Sequence, residues 1–453
     1  MTDTICALAT APGGALGIIR VSGPQAFDAV SAICSVRCHD VAPNTVHFTH
    51  IFAPTAKVPA GSPAGHEALD EALVSIFKAP HSYTGEDSAE ISCHGSRYIL
   101  NKVLELLITN GCRMANPGEF TMRAYLNGKM DLSQAEAVAD LIASTNEATH
   151  RMAMSQLRGG ISTELGRLRE QLLKLTSLLE LELDVSDHED LEFADRSELL
   201  ELTKTINKHI TRLANSFHAG NALKNGIPVA IVGAPNVGKS TLLNALIGEE
   251  RAIVSDVQGT TRDAIEDTIQ LGGITFRFID TAGIRHTDDT IENLGIERSM
   301  AAAQRAQIIL MMTVPGTPYP DIPVRDDQTV IHVINKSDLL SGAGDPSPIT
   351  HHPSPISAKY GIGLDSLRQR LLDAAPKTTD SDVIVSNARH YDALTRANEH
   401  LQRVLDGLDN NLSGDLLAED LRLTLDTLAE ITGGQITPNE VLGNIFSHFC
   451  VGK

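Results

Sequence analysis

Several things this chain has little of narrow the reading before any motif is met. Its six cysteines include no C-x-x-C pair, which argues against a disulfide framework or a structural zinc site and for the reduced thiols of a cytoplasmic protein. Cys34 and Cys38 are spaced like neighbours on a helix and read as small core hydrophobes rather than metal ligands. No apolar run approaches the ~20 residues of a transmembrane helix. The opening Met1-Thr2-Asp3-Thr4 carries no basic stretch followed by an apolar one, so neither export nor a membrane is expected. Positive charge is in deficit: 37 Lys and Arg against 57 Asp and Glu leave a net charge of −20. That argues against a broad, sequence-independent grip on nucleic acid, and any RNA partner has to be attracted by a local basic patch or by another chain. A hydrophobic share of 42% over 453 residues is that of a soluble globular protein, long enough for about three domains.

The stretch Gly233-Ala234-Pro235-Asn236-Val237-Gly238-Lys239-Ser240 follows the apolar run Val229 to Val232 and fits G-x-x-x-x-G-K-[ST]. A strand, a tight loop and a helix are expected. The glycines let backbone N–H groups close around phosphate oxygens, Lys239 brings charge to the β/γ phosphates and Ser240 can ligate Mg²⁺. Downstream, Asp280-Thr281-Ala282-Gly283 ends the alternating run Ile274, Phe276, Phe278, placing an Asp toward the Mg²⁺ and a Gly toward the γ-phosphate. Asn335-Lys336-Ser337-Asp338 ends a third apolar run, Val330 to Ile334. The Asp338 carboxylate can accept from the N1–H and exocyclic amine of guanine, a donor pair adenine lacks. Ser357-Ala358-Lys359 supplies backbone support for the base edge. Four motifs in the order and spacing of the G proteins identify GTP as the ligand.

The position after Asp280-x-x-Gly283, where most G proteins carry a water-orienting Gln, holds Ile284. Hydrolysis is then either very slow or assisted by another element. Asn236 can give a carbonyl oxygen to a monovalent cation placed where an arginine finger puts its guanidinium, with Gly259-Thr260-Thr261-Arg262-Asp263 closing over it. The alternative is that Asn236 only caps the loop.

Around this unit the texture changes twice. Residues 1–127 mix short apolar runs, such as Gly17 to Val21 and Ala72 to Phe77, with Gly, Pro and Ser breaks, and Ile99 to Asn110 reads as a helix ended by Gly111. Pro54 to Gly65 reads as an exposed loop. From Ser133 long helical patterns take over, with Ala135, Val138, Leu141 and Ile142 on one stripe and Leu165, Leu168, Leu172, Leu175 and Leu179 on the next. The acidic segment Asp184 to Asp190 reads as a solvated break between helices rather than a metal site. Leu199 to Ala222, Asn387 to Leu408 and Leu416 to Ile431 are helical, and Thr437-Pro438-Asn439-Glu440 starts a last helix. The fold class expected is multidomain α+β and α/β. An N-terminal α+β domain (1–127) is followed by an all-helical domain (128–225 and 377–453) interrupted by an inserted Ras-like P-loop GTPase domain (226–376).

The G domain together with Tyr83-Thr84-Gly85-Glu86-Asp87, His94-Gly95, Pro117 to Thr121, Leu126 to Lys129 and the terminal Cys450-Val451-Gly452-Lys453 resembles the MnmE (TrmE) family of tRNA-modification GTPases over essentially the whole chain. The resemblance implies a folate-binding N-terminal domain, a potassium-dependent G domain, and a homodimer through the N-terminal and the nucleotide-bound G domains. It also implies an FAD-dependent partner forming a heterotetramer, and tRNA as substrate. The wobble uridine would gain an aminomethyl or carboxymethylaminomethyl group at C5, using a one-carbon unit of 5-formyl- or 5,10-methylene-tetrahydrofolate.

Carried over by motif, the GTP site comprises Asn236, Val237, Gly238, Lys239, Ser240 and Thr241; Ser255, Asp256, Val257, Gln258, Gly259, Thr260 and Thr261; Asp280, Thr281, Ala282 and Gly283; Asn335, Lys336 and Asp338; and Ser357, Ala358 and Lys359. Asn236, Ser255, Val257 and Thr260 match the K⁺ ligands, Ser240 and Thr261 the Mg²⁺ ligands, and Glu292 the acid that orients water through a bridging water. Arg20, Glu90, Lys129 and Lys453 match the formyl-folate contacts, although Arg20 and Glu90 also read as a plain surface ion pair. Cys450 acts as a nucleophile or simply packs. The terminal tetrad carries Val451 where the family usually has Ile. Two other classes remain open: a GTP-switched ribosome-assembly or RNA-binding factor without modification chemistry, disfavoured by the absence of a basic module, and a folate-dependent aminomethyltransferase, which leaves the G domain idle.

Overall fold

A computed structural model describes residues 3–52, 68–186, 196–248, 267–279, 292–340, 353–377, 383–434, 439–447, 449 and 452. The chain divides into two compact units, one of Met1–Ile142, Gln156–Leu165 and Leu425–Lys453, the other of Ala143–Ser155 and Gly166–Thr424.

The first unit is built on β1 (Thr4–Leu8), β2 (Leu16–Ser22), β3 (Thr45–Phe52), β4 (Ala68–Phe77), β5 (Ser88–His94) and β6 (Cys112–Met114), in the sheet order β3-β4-β5-β2-β1-β6. All neighbours are antiparallel except β1 and β6. Side chains alternate across a strand, so Ile19 and Val21 of β2 and Ala89 and Ile91 of β5 point one way, under helices α1 (Ala26–Ile33) and α2 (Arg97–Thr109), into a single buried core. Arg20 and Glu90 therefore project from the opposite face. Helix α2 ends as expected, the Gly111 N–H donating to the Ile108 carbonyl. Cys34 and Cys38 are buried in the same core, yet they are not helical neighbours: α1 stops at Ile33, Cys34 is its extended C-cap, and Cys38 lies in the following turn. Burial pushes the Cys34 thiol up to about 12, as befits a packing side chain.

Helices α3 (Glu119–Leu126) and α4 (Leu132–Ala143) follow. In α4 the buried positions are Leu132, Ser133, Ala135, Glu136 and Ala137, while Ile142, expected on the apolar stripe, is 43% exposed. Leu132 and Ala135 pack instead against Leu442 and Phe446 of the last helix, Asn439–Ser447. The chain's end is thus part of this unit, and the Tyr125 hydroxyl donates to the Gly433 carbonyl at 3.0 Å.

The second unit holds long helices and an α/β sheet. Helix α5 runs Glu147–Leu157, α6 Gly160–Ser186 and α7 Arg196–Asn225. Leu165, Leu168, Leu172, Leu175 and Leu179 are buried along α6 as their spacing requires. The first three residues of the acidic segment, Asp184 to Ser186, still belong to this helix rather than to a break, and the rest lies outside the described residues, as does Pro54 to Gly65. The sheet comprises β7 (Ile227–Gly233), β8 (Asp267–Leu271), β9 (Ile274–Phe278), β10 (Ile308–Thr313), β11 (Thr329–Ile334) and β12 (Ser354–Pro355), in the order β12-β11-β10-β7-β9-β8. Only the edge strand β8 is antiparallel. Strand β7 is buried on both faces: Val229 and Ile231 join Leu242, Leu243, Leu246, Leu364, Leu367 and Leu371 on one side, Ala230 and Val232 join Ala302, Ala303 and Ala306 on the other. This is the doubly wound arrangement, and it explains why β7 reads as a continuous apolar run.

The sheet is an insertion between helices. The chain enters it from α7 and leaves it along Val385, whose N–H donates to Ser216 Oγ of α7 at 3.0 Å, close enough that a Cβ on Gly220 would stand 2.2 Å from the Val385 carbonyl. Entry and exit are adjacent, as an inserted domain requires. Beyond the exit, helix Ala388–Asp409 packs along α7, with Phe217 stacked on Tyr391 at 4.5 Å and Asn207 and Thr211 both donating to Asn398 Oδ1.

Candidate functional site

In a parallel sheet a ligand binds beyond the carboxyl ends of the strands, where the strand order reverses. That point lies at the end of β7, and the described motifs converge there. Gly233 ends β7, and the loop turns through Asn236 (φ 61°) and Gly238 (φ 97°) into helix α8 (Lys239–Gly248). Gly238 is required on two counts: its backbone is left-handed, and a Cβ there would sit 2.3 Å from Asn335 Nδ2. The Lys239 ammonium folds back to donate to the carbonyls of Gly233 (2.7 Å) and Ala234 (3.0 Å). Burial depresses its pKa below the ordinary lysine range, so it is a charge primed to gain from an anion. Ser240 and Thr241 occupy the first turn of α8, where the helix dipole favours phosphate.

The base-recognition motif is tied to this loop by side chains. Asn335, buried at the end of β11, donates through Nδ2 to the Val237 carbonyl at 2.8 Å and accepts through Oδ1 from the Ala358 N–H at 3.0 Å. Lys336, itself left-handed (φ 58°), donates Nζ to the Asn236 carbonyl at 3.1 Å. Ser357 does more than lend backbone: its hydroxyl donates to Asp338 Oδ1 at 2.6 Å, fixing the carboxylate. Lys359 lies over the Tyr360 ring at 5.2 Å. Phosphate loop, base motif and Ser357-Ala358-Lys359 thus form one bonded unit. The Asn236 side chain is exposed at the loop's tip and takes no hydrogen bond among the described residues. Ser255 to Thr261 and Asp280 to Gly283 lie outside the described residues. Glu292 begins the helix Glu292–Arg305, with its side chain outside them.

A second constellation lies on the open face of the N-terminal sheet. Arg20 and Glu90 are cross-strand partners in the β2–β5 register, and Arg20 places Nε (2.9 Å) and Nη2 (2.8 Å) on the same carboxylate oxygen, Oε1. The guanidinium carbon lies 5.5 Å from the Tyr83 ring and 5.6 Å from the Phe120 ring, and Nη1 donates to the Gly452 carbonyl at 3.3 Å. The C-terminal tail is therefore docked: Phe446 is buried, Phe449 packs on it at 5.2 Å, and Gly452 (φ 93°) is buried so tightly that a Cβ would stand 2.3 Å from the Leu8 carbonyl. Cys450 and Lys453 lie outside the described residues. Lys129 donates Nζ to the Pro80 carbonyl at 2.8 Å, which ties it to the same loop that carries Tyr83.

That loop, Pro80 to Asp87, rests on a buried ionic network. Arg123, with no exposed side-chain surface, contacts Asp3 Oδ1 (2.9 Å), Glu119 Oε1 (3.0 Å) and Glu86 Oε2 (3.2 Å), and Glu86 in turn accepts from Ser22 Oγ at 2.8 Å. The Tyr83, Phe120 and Gly452 contacts to Arg20 were not foreseen in the sequence, although all three residues sit inside stretches that carry the family resemblance.

The sheet order, the phosphate loop at the end of its central strand and the Asn335–Asp338 base site define a P-loop GTPase inserted into a helical chain. The chain matches the family described as MnmE helical domain over residues 132–450 and that described as GTP-binding protein TrmE N-terminus over residues 4–129. The tRNA modification GTPase MnmE of Bacteroides fragilis is 53% identical over 100% of this chain and 99% of that protein. Those of Phocaeicola vulgatus and Flavobacterium johnsoniae are 52% and 47% identical over the same shares. Among solved structures, the FeoB G-domain of Methanococcus jannaschii is 21% identical over 32% of this chain and 96% of its own, with a TM-score of 0.22. The chain belongs to the MnmE family of tRNA modification GTPases and is a GTP hydrolase.

Proposed function

We propose that this GTPase, with an FAD-dependent partner, builds an aminomethyl or carboxymethylaminomethyl group on C5 of the wobble uridine, position 34, of certain tRNAs. The carbon comes from a tetrahydrofolate one-carbon unit. The observation that carries this reading is that a full-length relative at 53% identity bears that activity class in its name, while this chain keeps the bonded phosphate-loop and base unit. The half-buried Arg20–Glu90 pair and the docked tail support the folate assignment.

In the G domain, Lys239 and the first turn of α8 hold the phosphates, and Asp338, fixed by Ser357, accepts from the guanine edge. Mg²⁺ would be held by Ser240 and Thr261, and K⁺ by Asn236, Ser255, Val257 and Thr260. The described members fit: Ser240 is in the first turn of the phosphate-binding helix, and Asn236 presents a side-chain carbonyl at the loop's tip. Cations held there would supply positive charge against that developing on the transferring phosphoryl group, the work an arginine finger does elsewhere. Glu292 orients the attacking water through a second water. Homodimerisation, the heterotetramer and the cytoplasmic setting belong to the same proposal, and no helix among the described residues is long and apolar enough to cross a membrane.

The decisive experiment is nucleoside analysis of wobble uridines in cells lacking this protein, with and without a plasmid copy. Loss of the C5 group, restored by the wild-type chain and not by Lys239→Ala, is the expected result. Unchanged wobble nucleosides together with a ribosome-assembly defect would replace this reading by an assembly factor.

A further inference from the structure

We propose that His94, aimed by Asp70, is the base that takes the C5 proton from the target uridine; this rests on the modification reading above. His94 and Gly95 form one of the stretches that carry the family resemblance, and neither the nucleotide site nor the Arg20–Glu90 pair gives them work. Asp70 of β4 spends both carboxylate oxygens on this one residue: Oδ2 accepts from the His94 backbone N–H at 2.9 Å, and Oδ1 lies 2.7 Å from the ring Nδ1. A carboxylate only accepts, so the neutral ring carries its hydrogen on Nδ1 and presents the Nε2 lone pair. The two side chains divide as a base and its holder do. Asp70 is 8% exposed and His94 66%, and Nε2 takes no partner among the described residues.

The backbone beneath the ring is fixed. The Gly95 N–H donates to the Ala15 carbonyl at 3.0 Å, and a Cβ on Gly95 would collide with the Gly14 carbonyl, so only glycine lets the β1–β2 turn close against the end of β5. The other end of that turn meets the tail, where Gly452 packs on Leu8 and Ala9. Alternation puts His94 on the face of β5 that carries Glu90, opposite the buried Ala89, Ile91 and Cys93. Its partner in the register is Leu16, four residues or about 14 Å along β2 from Arg20. An unspent base, the docked tail and the Arg20–Glu90 pair thus border one sheet face, at a spacing that a nucleobase and its one-carbon donor together span. The chemistry needs such a base. When uracil C5 bonds to the one-carbon unit, C5 holds both the new substituent and its hydrogen, and the ring has lent its N1 electron pair to form N1=C6. Breaking C5–H sends the proton to His94 Nε2 and the electron pair into C5=C6, which returns the N1 pair; nothing is oxidised or reduced in the step. Asp70 holds the imidazolium so formed.

The test uses the full chain with its flavin-dependent partner and tRNA tritiated at C5 of the wobble uridine, read by tritium released to water and by the modified nucleoside. His94→Ala should release tritium about a hundredfold more slowly, and free imidazole should restore part of the rate. Asp70→Asn, whose amide donates to Nδ1 and so moves the ring hydrogen to Nε2, should lower kcat for modification about tenfold or more with KM for tRNA unchanged. GTP hydrolysis and the thermal transition of both variants should match wild type. Wild-type tritium release from His94→Ala overturns the base while leaving the modification reading intact. A loss that imidazole does not restore overturns it as well and makes the pair a clamp between β4 and β5. No tritium release and no modified nucleoside from the wild-type chain and its partner overturns both readings.

Discussion

Ser357 donates its hydroxyl to Asp338 Oδ1 at 2.6 Å, so the carboxylate that reads the nucleotide base is itself aimed by a residue nineteen positions away in sequence. Asp338→Asn replaces an acceptor with an amide that mismatches the guanine edge and suits xanthine. The variant should prefer xanthosine triphosphate, and Ser357→Ala should weaken GTP by roughly tenfold, about the worth of a hydrogen bond to a charged group. Competition binding with the two nucleotides checks both, and undiminished GTP affinity in Asp338→Asn would remove the assignment.

Hydrolysis should depend on a cation of potassium size. Ile284 cannot orient water, and Asn236 stands exposed at the loop tip with an uncommitted side-chain carbonyl among the described residues. Asn236→Ala should abolish potassium stimulation, and Glu292→Ala should slow hydrolysis with nucleotide binding intact. Equal rates in sodium and potassium chloride at matched ionic strength would sink the cation hypothesis.

The network under the Tyr83 loop predicts an acid-labile N-terminal unit. Burial alone would raise the Glu119 carboxyl, but hydrogen bonds from Arg113, the Asn116 backbone and Arg123 outweigh it and hold it below the ordinary range. A hydrogen bond from Arg113 likewise lowers Asp3. Both groups are depressed on folding, so their stabilisation is present above the unfolded carboxylate values of about 4 and is lost as pH falls through the lower folded ones. Hydrogen exchange of β1 and α3 should be flat from about pH 7 to 5, once corrected for intrinsic rates, and loosen below about pH 4. Glu119, 3% exposed, is one of three carboxylates around the buried Arg123, and Glu119→Gln, which removes one charged hydrogen-bond partner of three, should cost about 2 kcal/mol at neutral pH. A variant as stable as the wild type, with the same acid response, would show that the network contributes nothing.

What could be read from the sequence was local. Strands β7, β9 and β11 announce themselves through apolar runs ended by motif residues, and the phosphate loop through glycines whose spacing is set by backbone conformation alone. The inserted sheet followed from flanking helical periods. What stayed hidden depends on distant partners. Nothing in the spacing of Arg20 and Gly452, 432 residues apart, says that one donates to the other. The Tyr83 and Phe120 rings look like core aromatics until the guanidinium is placed beside them. Cys34 and Cys38 suggested one helix because their four-residue spacing fits, but α1 ends at Ile33 and Cys34 pairs in a bridge with Ile51. Ile142 fits an apolar stripe by period, yet the surface that α4 buries is chosen by Leu442 and Phe446 from the far end of the chain.

The tail gives the sharpest division between the two activities. An apolar, glycine-containing terminus is expected to dock, and Phe446, Phe449 and Gly452 do. Gly452 is pinned on two sides: its left-handed backbone disfavours any side chain, and a Cβ would collide with the Leu8 carbonyl at 2.3 Å. Gly452→Ala should therefore undock the terminus, costing Arg20 its bond to the Gly452 carbonyl but leaving the Arg20–Glu90 pair and the core in place, and removal of Cys450 to Lys453 should do the same by deletion. Both variants are expected to lose tRNA modification while GTP hydrolysis stays nearly unchanged, because phosphate chemistry rests on Lys239 and the loops at the end of β7. Cys450→Ser separates chemistry from docking: if the thiol is a nucleophile, it should lose modification with the tail still resistant to carboxypeptidase, whereas a packing thiol should lose little. Full modification by the truncated protein, or an equal loss of GTPase activity, would take the tail out of the mechanism.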